Sequence, residues 1–291
     1  MDFEGVWIGI ILLLLLLVAA GMLAGFIGAI TGLGGGVVVV PFLALYLGVP
    51  IAYATGTSLI STIATSTGSA RSYIKERIAN MHIGVSLEIG TTLGAITGSL
   101  IAAEVYALHL QYIIYILFGL VLFGSSYFSI RKLKMKNFVP GKADWSTKFF
   151  RLNGSFIDEA TKKKINYHGR RWLLGLAIMF IAGMLSGLLG IGSGVLKVLA
   201  MDSAMTLPIK VTTTTSDFMI GVTAATSAGI YWERGFLQPL LIAPVVLGVL
   251  VGARIGSKYL VKLNSRVVRY IFIAILIILG SQMLLRGFGV F

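Results

Sequence analysis

The sequence predicts an all-α polytopic membrane protein built from two inverted repeats of about four to five helical segments each, with short glycine-initiated broken or re-entrant helices. Three observations carry this. The 291 residues are 57% hydrophobic and 12% charged, with a mean hydropathy of +0.92, whereas a soluble domain is roughly a quarter charged. The apolar runs are continuous, as in IGIILLLLLLVAAGMLAGFIGAI, where a barrel strand would alternate over ~10 residues. The third observation is that one unit is written twice. GMLAGFIG returns as GMLSGLLG, GLGGGVV as GIGSGVL, ATGTS as TTTTS, and GAITGSLIA as GVLVGARIG, in the same order.

The elements follow in order. The opening MDFEGVW has two acids and no base, the wrong sign for a secretory leader, so 6–30 is expected as a helix of the mature protein. Segments 33–48, 51–72, 83–104 and 112–130 complete an N-terminal transmembrane repeat, 1–130. A basic loop, 131–171, separates it from a C-terminal repeat, 172–291, with segments 172–191, 193–207, 209–231, 236–257 and 267–286. The second segment of each repeat opens on glycines and is too short for an ordinary span of ~20 residues. It is expected to pair with its successor as a re-entrant hairpin turning at Val49-Pro50 or Leu207-Pro208. Two full spans are the alternative.

Charge sets the expected orientation. The central loop holds twelve Lys/Arg against three Asp/Glu and should face the cytoplasm. The loop 71–80 and the stretch 258–269 are also basic, while 105–111 has no Lys or Arg and the N-terminus is acidic. Both termini are therefore expected outside the cytoplasmic membrane, which makes the number of crossings per half odd and the halves inverted. The net charge of +13 is concentrated in the central loop, where it suits topology and anionic lipid rather than nucleic acid. Within that loop, KFFRLNGSFIDE is expected to form a β-hairpin turning at Asn153-Gly154.

A hairpin pair of this kind would bring Pro50 and Pro208 near the membrane centre. The helices they start would aim positive dipole ends at an anion. Behind them come Thr55, Thr57 and Ser58, and then Thr213, Thr214, Thr215 and Ser216, whose hydroxyls could donate to an oxyanion without fixed charge. The same residues could instead bond their own i−4 carbonyls or join helices. Gly34, Gly35 and Gly36, with Gly192, Ser193 and Gly194, permit broken helix geometry and close approach of backbone to a ligand. Lys197 and Asp217 are costly in a membrane unless paired or hydrated, and their similar distance from the turn, ~16 and ~14 Å along their helices, permits a salt bridge or a shared water pocket between them. The first repeat has Val39 and Leu59 in their places, so a coupling or counter-charge role is expected, against the alternative that Lys197 reaches an interface. Asp202 and Lys210, nearer the turn, could instead bond backbone there.

No cysteine is present, so disulfides and thiolate chemistry are excluded. No metal-ligand spacing, P-loop or catalytic motif occurs. No cofactor, metal or catalytic residue is therefore expected, and the chain reads as a non-enzyme.

The pattern GFIGAITGLGGGVVVVPFLALYLGVPIAYATGTSL, with GLLGIGSGVLKV and LPIKVTTTTSDFMIGVTAATSAGIYWERG in the second half, resembles the TauE/SafE family of membrane anion permeases. The resemblance implies an anion transporter of the cytoplasmic membrane, in a family associated with export of sulfite and organosulfonates such as sulfoacetate. It places the family motif on Gly32, Gly34, Gly35, Gly36, Thr55, Gly56, Thr57, Ser58, Gly190, Gly192, Gly194, Thr213, Thr214, Thr215 and Ser216, with Ser193 and Asp217 as departures. The expectation is a secondary transporter exporting sulfite, sulfoacetate or a similar organosulfonate by alternating access, and an anion-selective channel is the alternative. The expected partners are a small sulfur-containing anion and the lipid bilayer, with a homodimer left open.

Overall fold

A computed structural model describes residues 3–75, 78–133, 143–158 and 162–289. Expectations for 76–77, 134–142 and 159–161 fall outside the described residues, as does the side chain of Arg71. The fold is an all-α bundle with a single two-stranded sheet among the described residues. The first half contains α1 (Phe3–Thr31), α2 (Gly36–Pro41), α3 (Ile51–Lys75), α4 (Met81–Ala107) and α5 (Gln111–Leu133). The central segment contributes α6 (Trp145–Phe149), β1 (Asn153–Asp158) and β2 (Lys163–His168). The second half follows with α7 (Trp172–Leu189), α8 (Gly194–Leu199), α9 (Ile209–Glu233), α10 (Pro239–Lys262) and α11 (Ser265–Gly287).

Six of these helices are long and apolar enough to cross a membrane: Trp7–Thr31, Met81–Ala107, Gln111–Arg131, Trp172–Leu189, Pro239–Lys262 and Arg266–Gly287. At 25 residues each, α3 and α9 are as long, ~37 Å at 1.5 Å per residue, but carry rows of Ser and Thr that lower their hydropathy. They are not half-helices. Within the two halves only α2 and α8 are short. Each opens on a glycine and widens into a π-helical turn, Phe42–Tyr46 or Ala200–Ala204. Pro41 precedes the first π turn and removes a helical N–H. The second has Leu199 there, so proline does not by itself cause the widening.

Small residues bring the helices together. Along α1 and α10, Gly21 and Gly25 lie on the backbone of Val245 and Val249, while Gly248, Gly252 and Gly256 lie on Val18, Met22 and Phe26. The contacts advance together, so the two helices are parallel. The matching pair in the other half does the same: Gly183 and Gly187 of α7 rest on Thr91 and Ala95, and Gly94 and Gly98 of α4 on Phe180 and Met184. In membranes, where lipid is as apolar as leucine, such close backbone approach is a main source of helix association. By contrast α5 and α11 run antiparallel, with Gly287 against Ile116 and Gly280 against Leu122 and Phe123. The sequence-matched helices thus make matched contacts.

Pro50 and Pro208 are not at the centre of this bundle. Thr55 shares a hydrogen bond with Tyr106 in the last turn of α4, and Gly56 meets the Phe236 carbonyl between α9 and α10. The start of α3 is therefore level with those helix connections. At the start of α9, Lys210 donates to the Val261 carbonyl at the end of α10 (3.1 Å). The prolines mark opposite ends because α3 and α9 each run the length of the bundle. What reaches mid-length is the pair of glycine turns: Gly34 and Gly192 both approach Thr62 and Ile220, the middles of α3 and α9.

The central segment packs on the end of the bundle that holds the start of α9. Leu152, Phe156 and Tyr167 join one core cluster with Ile83, Met205, Val211 and Val261. The expected hairpin is present but turns elsewhere. Asn153 and Gly154 lie in β1, opposite His168 and Tyr167, and the connection falls between Asp158 and Lys163. A side chain at 154 would strike the Tyr167 ring, so glycine serves packing here rather than a turn. Asp144 caps α6. Partial desolvation pushes its carboxyl up. Bonds from the Arg171 N–H, the Ser146 hydroxyl, and the N–H and hydroxyl of Thr147 outweigh that, holding it well below the usual carboxylate range.

Candidate functional site

The two glycine turns meet the two threonine-rich helices in a crossed arrangement. Gly32 (φ +72°) lies on Thr213 of α9, and Gly190 (φ +68°) lies on Thr55 of α3. Ser216 donates to the Gly32 carbonyl at 2.8 Å, and Ser58 donates to the Gly190 carbonyl. The turns also touch, since Gly194 rests on Gly32 and Leu33. Each half thus holds the other half's broken helix by equivalent residues. At Gly32 and Gly190 a positive φ and a backbone neighbour both exclude a side chain. Gly36 is required by Ser58 and Thr62 alone, and Gly35 by Thr65, whose hydroxyl accepts the Gly35 N–H at 2.9 Å.

The positions corresponding to Gly35 and Ser193 break the sequence expectation. Gly35 has φ −58°, a conformation open to any residue. Ser193 has φ +61°, where glycine would be at ease, and its hydroxyl bonds the neighbouring Gly192 carbonyl (2.7 Å). The left-handed region costs a side-chain-bearing residue ~1–2 kcal/mol.

The hydroxyls divide into three groups. Thr55 and Thr214 bond carbonyls within their own helices, Ile51 and Ala52 for the first and Lys210 and Val211 for the second. Unforeseen members of the row, Ser61, Thr62 and Thr65, do likewise. For these the intrahelical alternative holds. Ser58, Ser216 and Thr215 bond across elements, Thr215 accepting the Asn80 N–H at 3.0 Å. Thr57 and Thr213 are fully buried, yet their hydroxyls have no hydrogen-bond partner. Buried polar groups are normally satisfied, so Thr57 and Thr213, like Ser186 and Ser227, keep unused hydrogen-bonding capacity.

Lys197 is wholly buried on α8, one turn after the Ser193 turn, and does not reach an interface. Its ion pair is with Glu88 of α4 at 3.4 Å, not with Asp217. The Thr223 hydroxyl bridges the two, accepting from the Lys197 ammonium and donating to Glu88 Oε1 at 2.6 Å. Asp217 is buried on α9 among other polar side chains. Glu88 went unnoticed in the sequence, although an acid inside the apolar run of α4 is itself the signal that points to it. Asp202 has a side-chain partner that the sequence did not suggest. The π turn carries it to Arg269 of α11, which grips it through two bonds of 2.9 and 3.1 Å. Lys210 does bond backbone, at Val261.

Beside this geometry stand the comparisons with known proteins. The family model described as Sulfite exporter TauE/SafE matches residues 17–283. The chain is 30% identical over 279 residues to a probable membrane transporter protein, YunE, of Bacillus subtilis, covering 94% of this chain and 97% of that one. A second probable membrane transporter of the same bacterium, YdhB, is 29% identical over 253 residues, covering 85% and 89%. MJ0441 of Methanocaldococcus jannaschii, also a probable membrane transporter, is 25% identical over 291 residues, covering 94% and 97%. No solved structure matches.

Proposed function

The chain belongs to the sulfite exporter TauE/SafE family, and from that premise we propose that this membrane transporter is a secondary carrier of small sulfur-containing anions. Sulfite, sulfoacetate or a similar organosulfonate would leave the cell across the cytoplasmic membrane by alternating access. The family's description supplies the substrate class. The observation that carries the mechanism is the crossed pair of glycine turns, each bonded to the other half's threonine helix. A site shared by two halves lets one half rock against the other while a guest sits between them.

In this reading the halves are inverted in the bilayer. The antiparallel course of α5 and α11, which are sequence counterparts, supports it. So does the gathering of the basic segments around one end: α6 and the hairpin, the start of α9, and the end of α10. That end is the cytoplasmic one by the positive-inside rule, leaving both termini outside. An interior at −100 mV drives each net negative charge outward with about 2.3 kcal/mol, so export needs no nucleotide.

The binding residues are the turns Gly34, Gly35, Gly36 and Gly192, Ser193, Gly194, with the hydroxyls of α3 and α9 around them. Lys197 and Asp217 supply counter-charge or coupling. Within the hydroxyl set, Thr57 and Thr213 carry the greater part, because the protons of Thr55, Ser58, Thr214 and Ser216 are engaged and Thr215 is occupied as an acceptor. Sulfite efflux from proteoliposomes tests this. Thr57→Val with Thr213→Val should lower the rate at least about tenfold, the effect of losing roughly 1.4 kcal/mol of transition-state stabilisation, while Thr214→Val leaves it within about twofold. Unchanged efflux in the double variant would refute the site.

A further inference from the structure

The geometry points to Glu88 as a proton-carrying stand-in for the substrate at Lys197: the anion takes the carboxylate's place on the ammonium, and the displaced carboxylate takes up one proton. This deepens the proposed function and rests on it.

Three observations carry the inference. The first is local. Lys197 is entirely enclosed, and Glu88 Oε2 is the acidic oxygen it meets, at 3.4 Å. An enclosed ammonium requires a negative partner, and a partner at 3.4 Å is a long ion pair that a second anion can compete for. Glu88 itself is less enclosed, with 15% of its side-chain surface exposed.

The second is the asymmetry of the repeats. Lys197 corresponds to Val39 and Glu88 to Ile242, while bridging Thr223 corresponds to Thr65. Around Val39 the first half has a small apolar cavity lined by Ala20, Gly21, Phe42, Leu43 and Val245. The fold is thus built without the charges, and their presence in one half is an addition to it.

The third is that Lys197 rides on a segment with breaks at both ends. Before α8 stand Gly190, Gly192 and Ser193, all at positive φ; after it the helix widens into the π turn Ala200–Ala204. A six-residue helix between two breaks can shift as a unit relative to α4, which changes the Lys197–Glu88 separation.

Among the described residues the ion pair of Lys197 is with Glu88. On α7 there is no ionisable side chain, and α5 offers tyrosines and, near its end, Arg131. Asp202 in the π turn is held by Arg269. On α9, Asp217 lies six residues before Thr223, whose hydroxyl bridges Lys197 and Glu88.

The exchange balances simply. The anion forms the ion pair that Glu88 leaves, Glu88 gains one proton from water, and release of the anion returns that proton. One linked proton changes an apparent affinity by up to about tenfold per pH unit. Binding of sulfoacetate to the purified full-length protein is the test, because its sulfonate and carboxylate both stay ionised between pH 5.5 and 8. The apparent Kd of the native sequence should weaken at least about tenfold across that interval. Glu88→Gln, which keeps the Thr223 bond, should bind with a Kd constant within about twofold. Glu88→Gln with Lys197→Met, which removes both charges together and so leaves neither unpaired, should lose binding at every pH. An unchanged pH slope in Glu88→Gln, no slope in the native sequence, or full binding by the double variant would overturn the inference and leave the transport reading standing. Binding without any sulfite or sulfoacetate flux would overturn the transport reading alone, and no binding by the native sequence would overturn both.

Discussion

Gly32 and Gly190 are closed to a side chain on two counts. A Cβ at Gly32 would stand 2.8 Å from the Thr213 carbonyl oxygen, and one at Gly190 would stand 2.6 Å from the Thr55 Cβ. To that collision is added the left-handed backbone cost of ~1–2 kcal/mol. Gly32→Ala and Gly190→Ala should each lower the thermal unfolding midpoint of the purified protein by several degrees. Gly124→Ala is the comparison, since nothing lies within 4 Å of that position. It should be neutral or stabilising by ~0.5–1 kcal/mol, as for glycine replaced inside a helix. Equal losses at all three positions would refute the packing argument. Ser193→Gly relieves the left-handed cost but gives the unfolded chain more freedom, ~0.4–1 kcal/mol. The two nearly cancel, so its midpoint should stay within a few degrees.

At the scale of elements, the central segment's apolar packing on the bundle is joined by the polar contacts of Asn80. Asn80 caps α4 by accepting the Ile83 N–H, and its amide donates to the Tyr167 hydroxyl at 3.1 Å. Its backbone N–H meets Thr215 in the threonine row. Burial pushes the Tyr167 phenol up, against the opposing bond from Asn80. Asn80→Ala loses the cap, ~1 kcal/mol, and the hairpin's hydrogen bond. Hydrogen exchange across 153–168 should accelerate while the far end of α4 is unaffected. Asp144 adds a pH term to the same segment. Its folded pKa is depressed, so its stabilisation is present above the unfolded value, about 4, and is lost as pH falls below it. Protection of 144–171 should therefore decline on acidification below pH 4, and Asp144→Asn should flatten that decline.

For the whole molecule the decisive question is the sense of the two halves. The absence of cysteine allows single thiols to be introduced on a clean background. A cysteine at Lys148, on α6, should react with an impermeant maleimide only from the cytoplasmic side. One at His109, between α4 and α5, should react only from outside. Labelling of both from one side would refute the inverted arrangement, and with it the shared site between opposed halves.

Much of the architecture was legible from period, length and charge. Continuous apolar runs longer than ~20 residues can hide their backbone polar groups from lipid only as helices, so the helix order and nearly every boundary could be read directly. The duplicated motif likewise located the short segments after 32 and 190. The depth of the prolines was not legible, because a hydropathy pattern does not say where a less apolar helix ends. α3 and α9 extend to 25 residues each by turning their Ser and Thr inward, toward carbonyls and glycine turns rather than lipid.

The sequence by itself determined that this chain is an all-helical membrane protein made of a repeated unit, since composition and repetition are properties of order along the chain. It also marked Lys197 as an anomaly, because a buried ammonium in an apolar run is costly wherever the chain goes. Only the tertiary structure decided who answers that charge. Glu88 lies 109 positions away on α4, and no spacing rule connects them. The partnership exists because α4, α8 and α9 converge, and the cost of a bare charge in a dry interior falls only when such convergence brings a carboxylate within reach.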